Sequence, residues 1–200
     1  MSEYTVIGDV GRTLTELLWN NMRDLLDNQS EIALFNPGDT SNINIRLMLF
    51  LYAIRENEHM KNRTLNNQDI AHETRNPLSL DLYYMLTPYP SSDSDLTSRT
   101  INAHWILGRA MQILHDNPVL KGSILRGNLA GTNEELRVVQ TALSIEDVSQ
   151  IWNTFKDTFY RLSVFYLVTP VNIDSTHEKE LKRVVKKILD KNQIKTNNGS

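Results

Sequence analysis

The stretch Leu78-Ser79-Leu80-Asp81-Leu82-Tyr83-Tyr84-Met85-Leu86-Thr87-Pro88 decides the fold class of this chain. Leucine or tyrosine occupies every second position from 78 to 86, and a period of two is that of a β-strand with one buried face. Pro88 ends the pattern, because proline has no backbone N–H to donate to a neighbouring strand. We therefore expect a strand here that packs against the core.

Four other stretches predict strands around this one. Apolar side chains alternate over residues 43–54, 135–143 and 160–171, and a short apolar run lies at 32–35. In the last long stretch, Pro170 predicts an edge strand or a bulge. Adjacent strands lack the regular strand–helix–strand rhythm of a doubly wound sheet. The sequence thus predicts an α+β fold, with a mostly antiparallel sheet of four or five strands packed against helices.

Three helices are predicted to cover this sheet. The first is amphipathic and runs to about Asp27, and the second runs from about Ala103 to His115. The pair Asn117 and Pro118 is expected to stop the second helix, because proline cannot continue it. Ser144 is an N-cap residue for a short third helix.

Four aromatic residues and one glycine lie on these periodic elements. Tyr84, Trp105, Trp152 and Tyr166 are predicted to be core residues, since an aromatic side chain at such a position is more often packed than exposed. Gly108 lies inside the second helix, where glycine costs about 1 kcal/mol relative to alanine. Close packing against another backbone is the expected reason for it.

Charge and composition make several classes of partner improbable. The formal net charge of −3 and the pI of about 6.0 give no overall positive field for a phosphate backbone, so no nucleic acid is expected. There is no cysteine, so disulfides and sulfur-bound zinc are excluded. No leader-like N-terminus and no run of about 18 apolar residues is visible, so we expect folding in the cytoplasm and no membrane span.

The last 25 residues differ in charge from the rest of the chain. Residues 176–200 carry seven lysines and arginines against three acidic residues, a net charge of +4, with an apolar stripe at helical spacing. The sequence predicts one domain over residues 1–175 and a basic amphipathic helix with a frayed end over 176–200. A solvated face, protein docking and lipid adhesion remain open for this helix, with docking or simple packing favoured.

Two loops complete the predicted organisation. The polar stretch 55–76 and the glycine-containing stretch 122–131 are long for a compact domain, and such loops are usually functional or mobile. We expect protein contacts on these loops, on the basic helix and on the last strand. The candidate interface residues are Arg63, Arg75, Lys182, Arg183, Lys186 and Lys187.

No catalytic or metal-binding pattern is visible. The five histidines are scattered without metal-ligand spacing, and no glycine-rich phosphate loop or nucleophile elbow occurs. His115 next to Asp116 could orient a base, but a histidine at a helix C-terminus is favoured for stability alone. We expect no metal, no cofactor and no enzyme activity.

Three blocks of sequence resemble one family. They are the segment from Pro77 to Tyr89, the segment from Leu107 to Pro118, and Ile151-Trp152 followed by Tyr160 to Tyr166. Their order and spacing are similar to those of the cap or tail-terminator proteins of extracellular contractile injection systems, such as the antifeeding-prophage and virulence-cassette particles. The similarity extends from about residue 5 to residue 174.

The resemblance implies a ring, expected to be a hexamer, that sits on the last ring of the inner tube, touches the top of the sheath and ends tube growth. Its implied partners are copies of itself, the tube protein and the sheath protein, in a particle released by lysis. It brings no catalytic residues. The matching positions are structural: Pro77, Tyr84, Pro88, Trp105, Gly108, Asn117, Pro118, Trp152 and Tyr166.

Two alternatives stay open beside the terminator hypothesis. One is an adaptor elsewhere in a phage tail-like particle, for example at the baseplate. The other is a small enzyme that uses His115 and Asp116, which lacks an accompanying nucleophile or metal set.

Overall fold

The structure is a computed structural model that describes residues 3–39, 44–60, 72–74, 76–92, 95–156, 158–176 and 178–180. Three α-helices are present among them: α1 (Val6–Asn21), α2 (Leu96–Asp116) and α3 (Ile145–Asn153). No described helix is long and apolar enough to cross a membrane. The strands are β1 (Ile32–Leu34), β2 (Leu47–Glu56), β3 (His72–Thr74), β4 (Leu78–Pro88), β5 (Val119–Lys121), β6 (Glu135–Thr141), β7 (Val164–Ile173) and β8 (Glu178–Glu180).

Six of these strands form one sheet in the order β1-β2-β4-β7-β6-β5. Only β1 and β2 pair in parallel, and the other four pairs are antiparallel. The α+β class and the mostly antiparallel sheet are therefore confirmed. The prediction of four or five strands is wrong by one, because β5 has only three residues and lies between Pro118 and the glycine-containing stretch.

The strand 78–88 is central, as its sequence predicts. Strand β4 pairs with β2 on one side and with β7 on the other, and Pro88 is its last residue. Between Leu80 and Leu82 the pairing with β7 shifts, so that β7 carries an extra residue beside Pro170. The bulge alternative for Pro170 is confirmed, whereas the edge alternative is wrong, since β7 lies between β4 and β6.

The sheet has two differently covered faces. On the first, which we call the closed face, the side chains of Leu82, Tyr84 and Val168 pack against α1 and α2 in the larger buried cluster. On the second, which we call the α3 face, Met48, Met85 and Phe165 pack against α3. The exposed apolar row described below lies on the α3 face.

The first helix is shorter than predicted. It begins at Val6 and ends at Asn21, although the apolar pattern continues to Leu26. Met22 and Leu26 are both buried, in turns that pack onto the same cluster as the helix. Because these two residues are buried but not helical, the apolar pattern predicts a helix that is too long.

The predicted stop of the second helix and the predicted start of the third are confirmed, whereas α2 begins at Leu96, seven residues before the predicted start at Ala103. The side chain of Asn117 donates to the Ile113 carbonyl at 2.8 Å, which caps α2 just before Pro118. The Ser144 hydroxyl accepts from the Asp147 N–H at 3.1 Å and caps α3. In the tail, Glu178–Glu180 forms strand β8, paired with β3, and the predicted apolar stripe lies outside the described residues.

Candidate interaction surfaces

The six predicted interface residues cannot be placed. Arg63 and Arg75 lie in the polar stretch 55–76, and the four basic tail residues follow β8 in the sequence. All six, Arg63, Arg75, Lys182, Arg183, Lys186 and Lys187, lie outside the described residues. They stay predictions.

All nine structural positions lie among the described residues, and their role as family positions stays a prediction. Pro77 directly precedes β4 and Pro88 ends it. Tyr84, Trp152 and Tyr166 are buried core residues. Burial raises the pKa of both tyrosine hydroxyls, because the core disfavours the phenolate.

Trp105 and Gly108 are not where the sequence predicts. Trp105 is 59% exposed on α2 and is not a core residue. Gly108 is also exposed, and a Cβ added there would meet nothing within 4 Å, so the prediction of close packing inside the chain is wrong. The buried stripe of α2 consists of Ala103, Ile106, Leu107, Ala110, Ile113 and Leu114.

The helical spacing could have corrected the tryptophan prediction. Ile101, Trp105 and Gly108 are spaced by four and three residues, so they share one face of α2, opposite the buried stripe. Ile101 is also exposed. A wheel of α2 alone assigns these residues to the surface, and the aromatic rule misled because it ignores which face an aromatic occupies.

The α3 face is an aromatic cluster that α3 covers in part. Trp152 packs edge-on against Phe155, with ring centroids 5.8 Å apart, and Phe155 packs against Phe50 at 5.5 Å. Tyr52 meets Phe165 at 5.5 Å. These aromatic contacts cover the α3 face at the end of the sheet where β7 begins.

The rest of the α3 face is open. Strand register places Ala53, Tyr83, Leu167 and Val139 in one row across four strands. Val139 is exposed and the other three are half-buried. The Arg55 guanidinium lies 5.3 Å from the centre of the Tyr83 ring. Among the described elements nothing covers this row.

A short segment between α3 and β7 carries three exposed large apolar side chains within four residues. Phe159 is 87% exposed, Tyr160 54% and Leu162 48%. We call Phe159–Leu162 the aromatic segment. Two contacts hold the aromatic segment in place. The Tyr160 ring lies 6.2 Å from the Trp152 ring, and the Arg161 guanidinium lies 4.6 Å from the centre of the Tyr89 ring. Phe159 is thus presented by residues that are themselves anchored.

A hydrogen-bonded clasp joins α1 to the glycine-containing stretch 122–131. The buried Asp9 carboxylate accepts from the Asn128 N–H at 3.0 Å and from the Thr5 hydroxyl at 3.2 Å. The Arg126 N–H donates to the Thr13 hydroxyl at 3.0 Å. Gly127 has φ of 61°, and a Cβ there would collide with the Asp9 carboxylate. This loop, predicted to be mobile or functional, is fastened to the core.

The described residues hold no group of three histidines and carboxylates that could bind a metal ion. His115 and Asp116 are both exposed at the end of α2. His115 borders a cavity of about 340 Å³ whose other lining residues are Met111, Gln112, Leu114, Pro118, Val138, Gln140 and Tyr166. That lining is mainly apolar, and it places no carboxylate or second imidazole beside His115.

A wider cavity lies at the opposite end of the central strands. Its volume is about 770 Å³, and its lining includes Glu56, Asn57, Ser79 and Asp174. The Asn57 amide bridges Asp81 at 2.8 Å and Thr169 at 3.0 Å, which ties β4 to β7 beside the bulge. These hydrogen bonds hold β4 and β7 together.

Comparison with known proteins gives one family match. The family described as the Pvc16 N-terminal domain matches residues 9–187. Among curated proteins, none matches the chain significantly.

Two solved structures share the fold. One is the sheath/tube terminator of PVC, an extracellular contractile injection system, in the extended state. It is 17% identical with a TM-score of 0.64, over 100% of this chain and 67% of that chain. The other is the tube-terminating cap of the anti-feeding prophage, 18% identical with a TM-score of 0.58, over 89% of this chain and 58% of that chain. The chain thus spans about two thirds or less of these relatives.

Proposed function

The chain belongs to the Pvc16 N-terminal domain family, and from this membership we propose that it is a structural subunit that caps the apical end of the inner tube of a contractile injection particle. In this role it contacts the top of the sheath and terminates tube growth. It works as a ring of identical copies, a hexamer, without catalysis and without a cofactor. It assembles in the cytoplasm and leaves the cell within a particle released by lysis.

The observation that carries this proposal is the extent of the family match. Residues 9–187 include α2, α3, every described strand and all but the first three residues of α1. The likeness to two terminator proteins supports the same fold across the whole sheet. The resemblance expected from three sequence blocks is confirmed.

The distribution of exposed apolar side chains also supports an assembly role. Ile101 and Trp105 on α2, Val139 on the open part of the α3 face, and the aromatic segment are exposed on separate elements. Soluble monomers rarely keep large contiguous apolar patches in water. A subunit that touches neighbouring copies, a tube ring and a sheath ring needs several contact surfaces, and ring symmetry multiplies each contact.

Deletion of the gene tests the proposal. We expect particles whose tubes vary in length or lack an apical cap in electron micrographs, and we expect the full chain supplied in trans to restore uniform length. Particles with capped tubes of uniform length in the deletion strain would overturn the proposal.

Localisation separates this role from that of an adaptor at the baseplate. A gold-labelled full chain should mark the end of the tube opposite the baseplate. Label at the baseplate end would contradict the terminator role and favour the adaptor.

A further inference from the structure

We propose that neighbouring copies of this chain join head to tail, with the aromatic segment of one copy seated in the cavity beside β6 of the next. This inference rests on the proposed function, since it names the contact that would build the ring. The two halves of the contact are both visible on one chain: an exposed apolar projection and an unfilled apolar recess. A projection and a recess on different surfaces of the same chain generate heterologous contacts, which close into rings when the rotation between copies allows it.

The projection is the aromatic segment. Phe159 is almost fully exposed, while Tyr160 and Arg161 beside it are anchored on Trp152 and Tyr89. An exposed aromatic side chain with pre-ordered neighbours loses little conformational freedom on binding. Residues 158–162 also precede β7 without being assigned to a strand, and the Arg161 carbonyl accepts from the Ser163 hydroxyl at 3.0 Å.

The recess is the cavity of about 340 Å³ between the end of α2 and β6. Its apolar lining comes from Met111, Leu114 and Pro118 on one side and from Val138 and Tyr166 on the other. An apolar cavity of roughly 150 Å³ already holds a benzene molecule, so this recess is large enough for a phenylalanine side chain. The lining contains no Lys, Arg, Asp or Glu, which favours an apolar occupant over a charged one.

Beside the recess, the edge of β6 is open. Strand β5 pairs with residues 135–137, and the Pro118 carbonyl then accepts from the Val138 N–H at 2.9 Å. Beyond that point α2 occupies the preceding residues, so no described strand accompanies 139–141 on this side. An extended segment could therefore exchange backbone hydrogen bonds with Gln140 while its side chain fills the recess, which is the way added strands gain affinity and specificity.

Cross-linking tests the contact directly, because the chain contains no cysteine and every thiol is an introduced one. The full-length variant carrying both Leu162→Cys and Gln140→Cys keeps Phe159, and it is assembled on tubes and treated with a short bismaleimide. We expect a ladder of cross-linked copies up to the ring size. Each single variant should stay at the monomer mass, since a heterologous contact never brings two identical positions together. Single variants that cross-link as efficiently as the double variant would overturn the proposal.

Mixing two variants tests the head-to-tail direction of the contact. Phe159→Asp removes the projection, and Met111→Glu places a charge in the recess. We expect each variant alone to lose at least 90% of the assembled ring, and the two mixed to form pairs that stop at two copies. Tyr4→Asp, at an exposed aromatic residue outside every surface described above, is the matched control and should assemble normally, and thermal melting should confirm that all three variants fold. Normal rings from Phe159→Asp would overturn the proposal.

Cross-linking and localisation together show whether the contact or the proposed function is wrong. Copies that cross-link to each other but do not locate at the tube end would support the contact and contradict the terminator role. Copies that locate at the tube end but cross-link through Leu162→Cys to tube or sheath protein, and not to each other, would support the terminator role and overturn the contact.

Discussion

The closed face and the α3 face of one sheet use the same strands for different purposes. On the closed face α1 and α2 cover the centre of the sheet, and Leu82 and Val168 are fully inaccessible to water. On the α3 face one nine-residue helix covers only part of the sheet, and the row that ends at Val139 stays open. Because alternate residues of each strand serve each face, the centre of the sheet can be tightly packed on one side and more open on the other.

The comparison also explains why exposed aromatics do not destabilise the fold. Burial on the closed face supplies most of the hydrophobic stabilisation, which scales with the apolar area removed from water. Side chains such as Phe159 can then be placed for assembly at little cost to the isolated subunit. The comparison predicts that equivalent substitutions on the two faces differ strongly in effect.

The largest difference is expected between Leu82→Ala and Leu167→Ala, on adjacent strands but on opposite faces. Leu82→Ala leaves a cavity in the closed face and should lower the free energy of unfolding by about 4 kcal/mol. Leu167→Ala removes a half-buried side chain and should cost about 1 kcal/mol. Urea denaturation followed by circular dichroism measures both. Equal losses would show that the α3 face is as closed as the other.

The clasp provides the second contrast. In Gly127→Ala the new Cβ displaces the Asp9 carboxylate, and the residue is held at positive φ, so we expect a loss of about 3 kcal/mol. Gly131→Ala is the matched control, because φ is 75° there but nothing lies within 4 Å. It should cost only the backbone strain, about 1 kcal/mol. Identical melting temperatures for the two variants would contradict the clasp.

A smaller effect is expected at the start of α3. Ser144→Ala removes the acceptor of the Asp147 N–H and should lower the free energy of unfolding by about 1 kcal/mol. Gln150→Ala, in the exposed middle of the same helix, should change it by no more than about 0.5 kcal/mol. Thermal unfolding of the two variants side by side checks this difference, and a silent Ser144→Ala would show that α3 does not depend on its cap.

The smallest effect has the opposite sign. Gly108→Ala should raise the free energy of unfolding by about 0.8 kcal/mol, because alanine is the better helix former and the added methyl group meets nothing in the chain. Chemical denaturation measures the gain. A loss of stability would mean that the backbone at this position packs closely after all.

Most of the scaffold could be predicted from the sequence, because its signals are local. The alternation in 78–88, the cap at Ser144 and the stop at Asn117 and Pro118 each depend on a few neighbouring residues. The sixth strand could not, since three residues carry no usable period and β5 exists through its pairing with β6.

The candidate surfaces were harder to predict for a different reason. An exposed aromatic such as Trp105 or Phe159 has the composition of a core residue, and only the three-dimensional position shows that it is outside. The recess beside β6 is made of residues from α2, β6 and β7 that are up to 55 positions apart. Nothing in their local sequence indicates that they enclose a cavity. The charged residues chosen from polarity alone remain untested.

The place of β7 in the sheet has a consequence for how the subunit is made. The last long strand of the described residues is inserted between β4 and β6 at the middle of the sheet. A ribosome must therefore deliver the chain as far as Ile173 before β4 and β6 acquire their shared neighbour. Until then both present bare edges, which pair readily with other chains. Synthesis through Ile173, and not the folding of the first half of the chain, is what completes the sheet.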